Sequence, residues 1–254
     1  MKVLITNDDG IHSPGLRALA EAFAGNHDVA VVAPEHERSA TGHAITLHKP
    51  LRARPSPTFG SGVVAWATNG TPADCVVLGV RQLLDHSPDI VLSGINVGPN
   101  LGRDVTYSGT VSGALEGAIL GIPSIAVSVA SFVDARFDVA APFAARLAQH
   151  IVDRKLTGDA VFNVNVPNLA ADVMTGVAIT RQSARRYLSR LEKRTDPRGQ
   201  SYYWLAGERE PADDAEGTDG WAVAAGFISV TPIDLNMTDE GLLRELSTWD
   251  LAVS

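Results

Sequence analysis

Short apolar runs alternate with helical patterns through residues 1–166 of this 254-residue chain, and that alternation limits the folds open to it. Lys2–Thr6, Asp28–Ala33, Val63–Ala67, Asp89–Leu92, Ser124–Val129 and Val161–Val166 read as strands. Between them, Pro14–Ala24, Thr71–Leu84, Thr110–Leu120 and Val139–Arg154 carry apolar residues at helical spacing. The first helix has Ser13 as cap, Pro14 at its first position and Gly25 at its stop, and Thr71-Pro72 repeats the hydroxyl-then-proline opening. Strands such as Val29–Val32 are apolar at every position, as strands covered on both faces are. The pattern predicts an α/β fold with a mainly parallel sheet between helices. In such sheets ligands gather beyond the carboxyl ends of the strands.

Three segments are expected at that edge. Asn7-Asp8-Asp9-Gly10 follows the first strand, Pro34 to Ser39 the second, and Ser93 to Asn100 the strand Asp89–Leu92. Asp8 and Asp9 repel each other unless protons, an arginine or a metal stand between them. Together with Ser39 and Asn96 they form an oxygen-only set, suited to magnesium, manganese or calcium rather than zinc. Ser39 capping a turn and Asn96 bridging its own loop are the competing readings. Ahead of the helix at Thr110, Tyr107-Ser108-Gly109-Thr110 offers hydroxyls and the unpaired N–H groups of a helix start, which suits a phosphate as well as a plain cap. Asn100 is a further candidate donor to it. His12, His36 and His43 fall in loops near this edge without zinc-type spacing. Neither a P-loop nor a GxGxxG follows the first strand.

A net charge of -8 argues against general nucleic-acid binding but admits a small phosphorylated substrate if a metal supplies positive charge. Cys75, the single cysteine, sits in an apolar helical pattern and reads as a buried thiol. No signal peptide or membrane span is expected, and the chain reads as cytoplasmic. Beyond residue 180 the pattern changes. Arg181–Arg198 holds seven Arg or Lys residues, Gln200–Leu205 is strand-like and aromatic, Glu208–Asp219 is acidic and loop-like, and Trp221–Thr231 is strand-like. This reads as a hairpin excursion around the acidic loop, followed by a short helix, Glu240–Leu246.

Read in order, Ile5 to Gly10, Pro34 to Ser39 with Thr41-Gly42, Gly70 to Cys75, Ser93-Gly94-Ile95-Asn96 with Gly98 and Asn100, Tyr107 to Val111 with Glu116-Gly117, Asn163 to Pro167, and Thr231-Pro232 resemble the SurE family of stationary-phase survival 5'-nucleotidases. The resemblance covers about residues 1–238. It departs at Ser112-Gly113, where Gly-Ala is usual, and at Asn236, where aspartate is common. It implies a single three-layer α/β/α domain over 1–254 with a Rossmann-like sheet, and a C-terminal arm at 181–238 through which subunits form a homodimer or homotetramer. The implied activity is metal-dependent hydrolysis of nucleoside 5'-monophosphates. The family includes members of broad substrate range, and the sequence leaves open whether 3'-nucleotides and short polyphosphate are also cleaved. The resemblance further implies one divalent cation per subunit, magnesium or manganese, on Asp8, Asp9, Ser39 and Asn96, with Ser108, Gly109 and Thr110 as phosphate contacts. Asp8 and Asp9 are the expected catalytic pair, although which of them activates water is left open. Two readings compete with it: a phosphatase with an aspartyl nucleophile, whose Asp-x-Asp spacing the adjacent Asp8-Asp9 does not match, and a non-catalytic nucleotide-sensing module on the same fold.

Overall fold

The computed structural model describes residues 1–60, 62–156, 158–184, 187–209 and 215–252. In chain order the elements are β1 (Lys2–Thr6), α1 (Pro14–Phe23), β2 (Asp28–Pro34), β3 (Ala53–Pro55), β4 (Val63–Thr68), α2 (Pro72–Leu78), β5 (Ile90–Val97), α3 (Gly109–Ile119), β6 (Ser124–Val129), α4 (Ala140–Asp153), β7 (Val161–Val166), β8 (Gly176–Ile179), β9 (Tyr187–Thr195), β10 (Ser201–Arg209), α5 (Asp219–Ala224), β11 (Phe227–Ile233) and α6 (Glu240–Leu246).

Among the described residues nine strands make one sheet in the order β3-β4-β2-β1-β5-β6-β7-β11-β8. The six from β4 to β7 run parallel, while β3 and β11 run antiparallel to their neighbours β4 and β7. From β1 the chain first builds outward through β2 and β4, then returns to the other side of β1 with β5, β6 and β7. The order therefore reverses between β1 and β5, and the crevice at their carboxyl ends is where a doubly wound sheet holds its ligand.

Among the described residues, α1 and α4 cover one face of the sheet, α2 and α3 cover the other, and α5 packs on β11. Leu16, Leu19, Ala20 and Phe23 of α1 are fully buried and join α4 in the cluster on one face. Ser13 Oγ accepts from the Leu16 N–H, which fixes where α1 begins. On the opposite face α2 opens on a capping box between Thr71 and Asp74, with the Asp74 carboxylate also accepting from the N–H and Oγ1–H of Thr46. Its last turn widens into a π-helical turn at Gly79–Leu83. Cys75 is buried there against Thr68 Oγ1, and burial pushes its thiol up to about 12, so it is an inert packing residue.

The other helix on that face, α3, lies unusually close to the sheet because Gly109, Gly113 and Gly117 recur along one side. A Cβ on Gly113 would stand 2.7 Å from Ser93 Oγ, and one on Gly117 would stand 2.9 Å from Val91 Cβ and closer still to Ser124 Oγ. Alanine at 117 would gain helix propensity worth about 1 kcal/mol, yet overpacking costs about 1–3 kcal/mol. The contact with a sheet Cβ puts Gly117→Ala at the upper end of that cost, a net of about 1–2 kcal/mol, and it is expected to lower the midpoint of thermal unfolding by about 2–8 °C, read by calorimetry. An unchanged or higher midpoint would show that the interface has slack.

Several expectations need correction. The strand expected at Asp89–Leu92 continues to Val97, with one extra residue bulged between Ser93 and Asn96, so Asn96 belongs to β5 rather than to a following loop. The helix expected from Thr110 begins at Gly109, with Ser108 as its cap. Trp221–Thr231 is not one strand. Thr218 Oγ1 caps α5, Gly226 turns the chain at a positive φ of 80°, and β11 follows. The hairpin does not turn in the acidic segment. Asp196 Oδ1 accepts from the N–H groups of Arg198 and Gln200, which bends the chain inside the basic stretch, and β10 pairs with β9 from Ser201 to Arg209. Residues 210–214 of the acidic segment lie outside the described residues. Among the described residues no helix is long and apolar enough to cross a membrane.

Candidate active site

Three loops meet at the crevice, and backbone hydrogen bonds stitch them together. The Ile11 N–H donates to the Pro34 carbonyl at 2.8 Å and the Arg38 N–H to the Asp8 carbonyl at 2.7 Å, so the turn after β1 and the turn after β2 are tied to each other. From β5 the Val97 N–H donates to Asp9. Asn7, fully buried, holds the turn from below, its amide donating to the Gly10 carbonyl and to Ser13 Oγ.

Asp8 is 4% exposed and faces the start of α3. Thr110 Oγ1 donates to Asp8 Oδ1 at 2.5 Å, and the Thr110 N–H donates to the same carboxylate. Gly109 packs on it so tightly that a Cβ there would lie 2.8 Å from Asp8 Cβ. The glycine row of α3 thus has a functional consequence: it lets the positive end of a helix dipole reach an aspartate buried in the turn after β1. Ser108 Oγ accepts from the Val111 N–H, which leaves its own O–H to donate elsewhere.

The charge balance is unfavourable as it stands. Burial raises the pKa of Asp8, and Glu37 adds to the shift. Burial first, then the Asp8 and Glu37 charges, push Asp9 up to about 7. The charges acting on the pair are therefore negative, and the guanidinium of Arg38 is turned to the Asn69 carbonyl. Asp9 Oδ2 and Asn7 Oδ1 are buried without a hydrogen-bond partner among the described residues. Orphaned carboxylate oxygen beside raised carboxyl groups is a donor set that wants a hard cation, and the residues fit one. Asp9 also borders an open cleft of about 380 Å³ shared with Gly10, His12, Ser13, Glu35 and Glu37.

The other expected residues are distributed as follows. Ser39, on the exposed loop stitched to Asp8, donates its Oγ–H to Glu37 Oε1 at 2.6 Å. Asn96, one residue before Val97, spends its amide N–H on the Gly98 carbonyl at 2.7 Å and so presents its oxygen as the acceptor end. Asn100 is drawn into a buried network: its amide donates to Ser128 Oγ, and its carbonyl accepts from Asn163 and Asn165. His43 pairs with Glu116 on α3 at 2.8 Å, while His12 borders the cleft with its Nδ1 3.4 Å from Thr58 Oγ1. Glu37, which spacing does not single out, contributes negative charge to the crevice, and only its place after β2 hints at this.

A family model, Survival protein SurE, matches residues 3–189. Among curated proteins, the 5'-nucleotidase SurE of Heliobacterium modesticaldum is 53% identical over 249 residues, covering 98% of this chain and 92% of that protein. The chain belongs to the SurE family. The 5'-nucleotidase SurE of Geobacter sulfurreducens is 50% identical, with 99% of this chain and 95% of the relative covered. The crystal structure of the SurE protein from Aquifex aeolicus superimposes with a TM-score of 0.84 at 43% identity, covering 97% of this chain and 98% of that one. The mixed, mostly parallel sheet flanked by helices is thus the SurE fold.

Proposed function

We propose that this chain is a metal-dependent phosphomonoesterase that hydrolyses nucleoside 5'-monophosphates to nucleoside and phosphate. The observation that carries this is the meeting of Asp8 with the start of α3, beside an Asp9 that has one buried carboxylate oxygen without a partner among the described residues, where the charges acting on both are negative. The names of the curated relatives supply the substrate class.

Asp8, Asp9, Ser39 and Asn96 are the residues to hold one cation, magnesium or manganese. When bound, it supplies Lewis acidity toward a phosphoryl oxygen and makes water a stronger acid. Thr110 fixes the Asp8 carboxylate through its hydroxyl and N–H, and Asn7 fixes the turn that carries both aspartates. The Ser108 hydroxyl and the Gly109 N–H supply donors to the phosphoryl oxygens and to the charge that grows on them during transfer. Thr110 serves this cradle through Asp8, and Asn100 through the segment it anchors.

An oligomer built through the arm is part of the same proposal. The hairpin of β9 and β10 carries exposed Leu191, Tyr203, Trp204 and Leu205, and β9 and β10 pair only with each other among the described residues. A two-stranded ribbon that exposes large apolar side chains among its charges is suited to a partner surface. A cytoplasmic setting is consistent with the single buried thiol.

With manganese added, the purified chain should release inorganic phosphate from 5'-AMP or 5'-GMP, and excess chelator should abolish release. A 3'-nucleotide and short polyphosphate in the same panel measure its range. Binding of AMP without turnover under any cation would instead favour a nucleotide-sensing module.

A further inference from the structure

The root of the C-terminal arm grips the segment that delivers Ser108. Gly102 opens the 3-10 stretch Gly102–Tyr107, which ends at the cap of α3, and both of its backbone polar groups are held from the arm's two ends. Its N–H donates to Asp219 Oδ2 at 2.8 Å, and its carbonyl accepts from Gln182 Nε2. Gln182 lies just before β9 and Asp219 opens α5 after β10, so the hairpin's entry and exit converge on one glycine.

The exit and entry are also stapled to each other. The Arg181 N–H donates to the Gly217 carbonyl and the Asp219 N–H to the Arg181 carbonyl, each at 3.0 Å. Asp219 is fully buried, and its second oxygen accepts from the N–H groups of Ser183 and Gly220. Capping of α5 does not account for the bond to Gly102, because Thr218 already caps that helix. Burying a carboxylate is costly unless its donors are fixed, so the three N–H groups and the carboxylate hold one another in place.

We infer that Asp219 and Gln182 are positioning residues that set the placement of Ser108 and Gly109, so that attachment of the arm tunes phosphate binding. The inference rests on the reading of Ser108 and Gly109 as the phosphate cradle.

The test uses the full chain with manganese. In Asp219→Asn the amide oxygen can keep Ser183 and Gly220 while its NH2 confronts the Gly102 N–H, and Gln182→Ala removes the opposite grip. Each variant is expected to raise the inhibition constant of inorganic phosphate and the KM for 5'-AMP about tenfold, the size of one lost hydrogen bond. The manganese dissociation constant should stay within twofold of the parent, and amide exchange should quicken in 102–109 but not in β1 or β5. Unchanged phosphate constants, or losses that follow manganese affinity or global unfolding, would overturn the inference. Should Asp219→Asn not fold, Gln182→Ala decides by the same measurements. If the parent has no phosphatase activity, the proposed function fails on its own, and phosphate titration with amide exchange still reads the grip.

Discussion

Asp8→Asn is expected to lower turnover of 5'-AMP by about a thousandfold while leaving the fold intact. The substitution keeps shape and keeps an oxygen for the Thr110 hydroxyl, but it removes the charge that a cation requires. Its effect on stability should run the other way. Asp8 is 4% exposed and its pKa is raised, so its ionised form is disfavoured in the cation-free protein. A neutral amide in that place should leave the cation-free unfolding midpoint at pH 8 unchanged or higher. Manganese, which should raise the parent's midpoint, should hardly move that of the variant. Wild-type turnover in the variant, or a collapse of its cation-free midpoint, would show that the carboxylate serves the fold rather than the chemistry.

Much of this site is legible along the chain for a topological reason. An apolar strand that starts a parallel sheet must end at its carboxyl edge, so Asp8 and Asp9 could be placed from Lys2–Thr6 alone, as could the loop of Ser39 from β2. What is not legible depends on contacts between distant residues. Thr110 lies 102 residues from Asp8, and a hydroxyl at a helix start looks the same whether it meets a phosphate, a carboxylate or its own backbone. Asn96 falls inside β5 because a bulge extends the strand, and bulges leave no mark in apolar periodicity. Trp221–Thr231 is misread for a related reason: Ala222, Val223 and Ala224 serve a helix as readily as a strand, and the deciding cap, Thr218, sits outside the window. β3 and β8, of 3 and 4 residues, are too short to show a period.

The pH dependence of cation binding should separate a metal site from a pair of shared protons. With Asp9 pushed up to about 7 and Asp8 also raised, a cation arriving below neutrality must displace a proton. Manganese affinity is therefore expected to fall by at least about tenfold per pH unit below pH 7, by calorimetric titration. The cation-free protein should show the opposite trend in stability. Between about pH 4 and pH 7 the folded state holds a proton on Asp9 that the unfolded chain has lost, so the contribution of Asp9 to stability declines as pH rises through that window. Saturation reverses the slope: the carboxylates are then held ionised, and their stabilisation is lost as pH falls. At a hundred times the dissociation constant the cation adds about 2.7 kcal/mol, or about 5–10 °C in midpoint for a chain of this size. Measured as the parent minus Asp9→Asn, the pH slope of the unfolding midpoint should change sign when manganese is added. A slope of one sign in both conditions, with affinity flat down to pH 5, would mean that a fixed positive group already neutralises the pair and that no cation is needed there.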